Sequence, residues 1–203
     1  MIRLRFFLLL VPVLIAPKAY GQDKLSFSGY VSDMQTVYHI PDYWLWENTL
    51  HNRLNLDLYP APWLTGSVQL RNRFIFGSTL GKIPGYSDVL GGDQGWLDMT
   101  WVTDGNMGDS AGYALTGTID RLWLEFAFGN LEIKAGRQRI NWGQTLVWNP
   151  NDIFNSYSYF EVDYPERPGS DALRISYYTG NASTIEVAAK VDSARQVTAA
   201  AYF

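Results

Sequence analysis

Residues 49–59 read TLHNRLNLDLY, and their alternation decides the fold class. Leu50, Leu54, Leu56 and Leu58 fall on one side of an extended chain. Thr49, His51, Arg53, Asn55 and Asp57 fall on the other, because successive side chains of a strand point to opposite faces. Asn52 breaks the apolar row once. The length suits a strand that crosses a bilayer at a tilt, which takes about 9–11 residues.

Working outward, residues 64–76 repeat the pattern. Leu64, Val68, Leu70, Phe74 and Phe76 oppose Thr65, Ser67, Gln69, Arg71 and Arg73. Pro60-Ala61-Pro62 between the two stretches cannot continue either ladder. Gly129-Asn130 and Gly180-Asn181 are two-residue turn signals. Leu122, Leu124, Phe126 and Phe128 precede the first, and Leu131, Ile133 and Ala135 follow it. Leu173, Ile175 and Tyr177 lead into the second, followed by Ile185, Val187, Ala189 and Val191. A less regular strand over 25–38 and a last one over 196–203 bring the expectation to eight strands. Connections are short at 60–63, 129–130 and 180–181 and long at 77–112 and 143–170, with 96–102 placed inside a long loop or extending a strand. Short turns at one end and long loops at the other are the topology of outer-membrane barrels. The expected fold is therefore all-β, a transmembrane antiparallel β-barrel or the first eight strands of a larger one.

The polar faces argue against the competing soluble sandwich. They carry Arg53, Asp57, Arg71, Arg73, Arg121, Glu125, Glu132, Lys134 and Arg174, mixed in sign as a barrel interior requires. Tyr38, Tyr43, Trp44 and Trp46 gather at one set of strand ends, and Tyr59, Trp63, Phe126 and Phe128 at the other, as interfacial girdles do. Composition agrees: charged residues are 18% and aromatics 15%, against about a quarter charged in an ordinary soluble domain.

Residues 1–21 read as a secretory signal peptide. Arg3 and Arg5 precede an apolar core at 6–15, and Ala19 and Gly21 place small residues before a cleavage site at Gln22. The core is too short to span a bilayer as a helix, and no later run is long enough. Residues 22–203 are then one exported barrel domain located in the outer membrane, with lipid and the barrel-insertion machinery as partners. The acidic balance of −4 gives no hint of nucleic-acid binding. Absence of cysteine excludes disulfides and thiolate metal sites.

The most specific stretch runs from Gly136 to Leu173. It contains Gly136-Arg137-Gln138-Arg139-Ile140, Trp142-Gly143, Asn149-Pro150, Asp152, Phe154-Asn155, Glu166-Arg167, Gly169 and Asp171-Ala172-Leu173-Arg174. This resembles a segment of bacterial outer-membrane porin-like proteins, relatives of alginate-export-type barrels. The resemblance implies a longer barrel with more than eight strands, the chain continuing beyond Phe203, and a solute left open. Read from the residues alone, Gly136 marks a bulge that turns Arg137 and Arg139 toward the lumen. Residues 149–152 form a turn, and Asp152, Glu166 and Asp171 pair with Arg137, Arg139 and Arg167. These charges either latch the long loop to the wall or, with the loop folded inward, select solutes in a constriction.

No catalytic constellation is present, so no enzyme activity and no cofactor or metal is expected. His51 and Asp57 share a face about 20 Å apart, and no nucleophile elbow or paired-histidine zinc motif occurs. His39, beside Pro41, reads as a loop residue. A carboxylate pair among Asp120, Glu125 and Glu132 is explained better by ion pairing across a hairpin. The expected function is a porin-like channel for a small polar or anionic solute, with Arg71, Arg73, Arg137 and Arg139 inclining toward an anion. The alternative is a closed eight-stranded barrel, whose side chains fill it, acting as an adhesin or scaffold.

Overall fold

The computed structural model describes residues 24–93, 95–108, 110–142, 153–154, 166–180 and 182–203. The expected leader, the 149–152 turn with Asp152, and Asn181 lie outside the described residues. Among the described residues the chain is all-β apart from two one-turn helices. Its strands are β1 (Leu25–Ile40), β2 (Tyr43–Ala61), β3 (Leu64–Gly77), β4 (Thr100–Asn106), β5 (Gly112–Phe128), β6 (Leu131–Gln138), β7 (Ser170–Gly180), β8 (Ser183–Val191) and β9 (Val197–Tyr202). Helices α1 (Ser78–Lys82) and α2 (Tyr86–Leu90) lie between β3 and β4.

Every pairing is antiparallel, and the strands form one sheet in the order β1-β2-β3-β5-β6-β7-β8-β9, with β4 added beside β5. The sheet is not closed: β1 and β9 are its edges. Nine strands replace the expected eight because residues 100–106 pair with the first half of β5, where sequence placed a loop or a strand extension. β4 and β6 thus lie end to end along the same side of β5, against residues 112–118 and 122–128 respectively.

β5 is also longer than its sequence suggested, and a register shift explains why. Gln69 pairs with Arg121 but Leu70 with Ile119, so Asp120 is an extra residue in β5. Before it, Ala114, Thr116 and Thr118 share a face with Ile75, Arg73 and Arg71. After it, the face passes to Arg121, Trp123 and Glu125. Alternation holds on each side and jumps by one at the bulge, which conceals a continuous strand. Asp120 and Arg121, consecutive in sequence, are both buried. At Gly136, where a bulge was expected, the register runs unbroken through both neighbours. Gly136 adopts φ 114°, and a Cβ there would collide with the Leu122 carbonyl oxygen, so close backbone approach accounts for it.

At one end the strands are separated by two residues each: Pro62-Trp63, Gly129-Asn130 and residues 181–182. Gly129 has φ 59°, as the first central residue of a type II′ turn requires. At the other end lie both long connections, 78–111 and 139–169, together with Pro41-Asp42, which joins β1 to β2 where sequence left the chain irregular.

Burial is inverted relative to a soluble domain. Among the described residues six apolar side chains are buried, against fifteen polar or charged ones that include Arg53, Arg71, Asp120 and Arg121 on one face. Leu50, Leu122, Leu124, Leu173, Ile175 and Val187 are exposed on the other face. Two levels of aromatic contact bound that apolar face. Near the short turns Trp63 stacks on Phe126 and Phe128, each with centroids 6.3 Å apart. Towards the other end Trp46 meets Phe76 edge-on at 6.2 Å, and Phe76 meets Phe74 at 5.4 Å.

Candidate functional site: the buried charged face

The bulge builds the centre of the polar face. Asp120 Oδ2 accepts from Arg53 Nη1 at 2.5 Å, and its other oxygen lies 3.8 Å from Arg71 Nε. Arg53 also donates to Asn55 Oδ1 at 3.1 Å and Gln69 Oε1 at 2.7 Å, so strands β2, β3 and β5 converge on one guanidinium. Both partners of the Arg53–Asp120 pair are almost wholly shielded, with 2% of each side chain accessible. A charge so placed is tolerable only when paired and hydrogen-bonded.

Nearer the short turns the charges are balanced and wetter. Lys134 Nζ lies 2.6 Å from Glu125 and 3.8 Å over the Trp123 ring. Arg174 lies 3.7 Å from Glu125 and 3.9 Å from Glu186. Ser67 donates to Asp57 at 2.6 Å, and Tyr178 donates to Glu132 at 2.8 Å. Asp120, Glu125 and Glu132 are thus engaged separately and form no carboxylate pair. His51 is buried with Tyr30 edge-on at 5.5 Å, and His39 packs on Trp44 at 4.9 Å.

The connection from β6 to β7 lies against this face. Trp142 packs edge-on against buried Phe154 at 5.0 Å, in a cluster with Ile140 and three small residues of β7, β8 and β9, Ala172, Ala188 and Ala200. The Trp142 indole N–H donates to Glu186, and its ring stacks on Tyr202 of β9 at 6.0 Å. The Phe154 carbonyl accepts from Lys190 at 2.7 Å and Ser170 at 2.5 Å. On the opposite side, the Glu166 carboxylate accepts from Tyr30 of β1 at 2.8 Å and lies 3.8 Å from Arg53. The Glu166 and Arg167 carbonyls accept from Arg121 at 3.1 and 2.7 Å, and Arg139 donates to the Glu166 carbonyl at 3.3 Å. One connection therefore touches both edge strands.

Arg137 sits apart. By register it shares a row with Leu122 and Asp171, the apolar side of the sheet, instead of turning to the lumen as expected. There residues 93–99 cross over it. Its five N–H donors reach Asp171 at 2.8 and 3.0 Å, Asp93 at 2.7 Å, the Leu97 carbonyl at 2.5 Å and the Ile119 carbonyl at 3.4 Å. That is the full donor capacity of a guanidinium. Asp93 also accepts from the Gly95 and Met99 amides, both at 2.8 Å. Burial pushes the Asp93 carboxyl up, but the Arg137 guanidinium and these amides outweigh it and hold it below its usual range. Arg73 turns toward the same connection, donating to Thr116 at 3.3 Å and to the Leu90 carbonyl of α2 at 3.3 Å.

Of the residues singled out in sequence, Arg53, Arg71, Arg121, Arg139, Glu166 and Arg167 come together around the bulge. Asp57, Glu125 and Arg174 lie below, and Arg137 and Asp171 form a separate clasp. Sequence missed Asp93 and Tyr30, gave Trp142 and Glu186 no site role, and saw Asp120 only as a possible carboxylate partner. The phase jump between Ile119 and Leu122 was the signal for Asp120. No group of three or more His, Asp or Glu among the described residues is arranged to hold a metal ion. No helix of the described residues is long and apolar enough to cross a membrane, which says nothing of strands. Comparison with family models, characterised proteins and solved structures finds no match.

Proposed function

We propose that this chain is wall of an outer-membrane β-barrel through whose polar interior a small polar or anionic solute passes. The observation that carries the reading is the inverted burial, with arginines and acids covered on one face and large apolar side chains exposed on the other. Dimensions support it. From Trp46 to Tyr59 along β2 is thirteen residue steps. That is about 43 Å along a strand, or about 30 Å across a bilayer at a tilt of about 45°, close to a hydrocarbon thickness. In lipid the exposed N–H and C=O groups of β1 and β9 must be paired, since each left open costs several kcal/mol. The edges of the open sheet are therefore seams where the wall continues or closes.

In this reading the inward-lying connection narrows the passage, and Arg53, Arg71, Arg121 and Arg139 set its field against Asp120 and Glu166. Ring charges at a constriction act on permeant ions by direct Coulomb interaction. One observation favours the second reading, a closed scaffold or adhesin: Arg53, Ile140 and Phe154 are each 1% exposed, as in a filled interior. Planar-bilayer recordings of the purified chain separate the two. Stepwise conductance, with a reversal potential moved toward cation preference by Arg139→Glu, is expected of the channel. A membrane-inserted protein without conductance would leave the scaffold. A protein that is soluble without detergent and missing from outer-membrane fractions would end both.

A further inference from the structure

The two long connections meet at one place in the sheet. The β6–β7 ladder ends in two rungs, Arg137 opposite Asp171 and Gln138 opposite Ser170. Successive side chains of a strand point to opposite faces, so the first rung serves the apolar side and the second the polar side. On the apolar side Arg137 holds Asp93 and the Leu97 carbonyl, and Asp171 accepts from the Leu97 amide at 2.9 Å. Gly95 lies flat on that ion pair, where a Cβ would fall on the Arg137 guanidinium and 2.7 Å from Asp171 Oδ2. The same strap reaches β5, whose Ile119 amide donates to the Met99 carbonyl at 3.1 Å, and it bridges to Asp192 beyond β8. On the polar side Ser170 donates to the Phe154 carbonyl, and Arg121 holds the carbonyls of Glu166 and Arg167.

Gly169 is where the two fastenings touch. A Cβ there would stand 2.8 Å from the Asp120 carbonyl oxygen, 2.9 Å from Arg121 Nη1 and 3.1 Å from Arg137 Cγ. Without a side chain, this residue lets one arginine approach it from each face of the sheet. Contacts packed this closely transmit a displacement instead of absorbing it.

We propose that Arg137 and Asp171 are positioning residues for the β6–β7 connection, so that the 93–99 strap on one face and the connection on the other are released together. The inference goes beyond the channel and scaffold readings and holds for either. It makes the strap a handle by which an event on the apolar side alters the Arg121–Glu166–Arg167 group on the polar side.

The chain has no cysteine, so a nitroxide on Pro168→Cys reports the connection alone. Hydrogen exchange at Leu97 and Met99, whose amides donate to Asp171 and Asp93, reports the strap. Gly95→Ala alters no residue of the polar face. It is expected to quicken exchange at Leu97 and Met99 and to raise the mobile fraction of the nitroxide, each by about five-fold or more, the lower end of couplings between sites. Coupling of this kind is reciprocal, so Arg121→Gln should quicken the same two amides by a similar factor while the amides of β2 stay slow. Should a variant fail to assemble, the labelled chain in rising urea carries the test. Strap amides and nitroxide are then expected to loosen in one step, ahead of β2. A freed strap beside an unmoved nitroxide, a strap unmoved by Gly95→Ala or by Arg121→Gln, or loosening in separate steps or only together with β2 would each overturn the coupling.

Discussion

Arg53 and Arg137 are both almost fully buried and both salt-bridged, yet they do different work. Arg53 stands on the polar face among side chains of three adjacent strands, with Asp120 as its main anion. Arg137 stands at the strand tops on the opposite side, and its partners include a carboxylate and a carbonyl of the 93–99 segment. The bulge that inserts Asp120 brings Arg53 its anion, whereas Arg137 lies in unbroken register opposite Asp171. Arg53 therefore ties three strands together on the polar face, and Arg137 fastens a long connection to the sheet. A buried arginine in a strand is evidence of a partner, not of a lumen.

Breaking the clasp should have the largest effect. Arg137→Ala strands Asp93 and Asp171 in a buried site and is expected to cost about 3–5 kcal/mol. Unfolding in urea-containing vesicles measures that loss, and limited proteolysis should cut first within 91–99. If the interior pair mattered equally to that segment, Asp120→Asn would expose it too. Instead Asp120→Asn is expected to cost about 1.5–3 kcal/mol, the worth of charged hydrogen bonds, and to leave protection of 91–99 unchanged.

Acid sharpens the same contrast without mutation. The Asp93 carboxyl is depressed in the folded chain, so its stabilisation is complete above the ordinary carboxylate pKa of about 3.9 and is lost as pH falls through the lower folded value. Arg137 keeps its charge throughout. Hydrogen exchange at 95–99 should stay slow at pH 5 and quicken only below the ordinary carboxylate range. Loosening already at pH 5 would contradict the clasp. The smallest effect is expected from Glu125→Gln. Its pair with Lys134 is about a fifth exposed on each side, and such pairs contribute about 0.2–1 kcal/mol.

Much of the fold is legible in the sequence where the pattern is local. The strands over 49–59 and 64–76, the Gly129-Asn130 turn and the aromatic clusters at strand ends follow from neighbours within a few residues. Residues 112–119 escape because Gly117 interrupts the apolar row of Leu115 and Ile119 just before the bulge shifts its phase. β4 escapes because Trp101-Val102-Thr103-Asp104 alternates poorly and is held by pairing with β5. Most of the charged residues are recognisable as belonging to one polar face, but their grouping, and the departure of Arg137 and Asp171 from that face, are not. Asp93 meets Arg137 across 44 positions and Asp120 meets Arg53 across 67, separations no spacing argument reaches.

By itself, the order of side chains determined that the chain would extend, which residues would share a face, and that one face would be apolar and the other charged. Period-two geometry requires no more than that. Only the tertiary structure decided which acid neutralises which arginine, that Arg137 leaves the polar side, that the β6–β7 connection reaches both edge strands, and that the sheet stays open. Those outcomes depend on cross-strand register, where one inserted residue moves every later side chain to the other face.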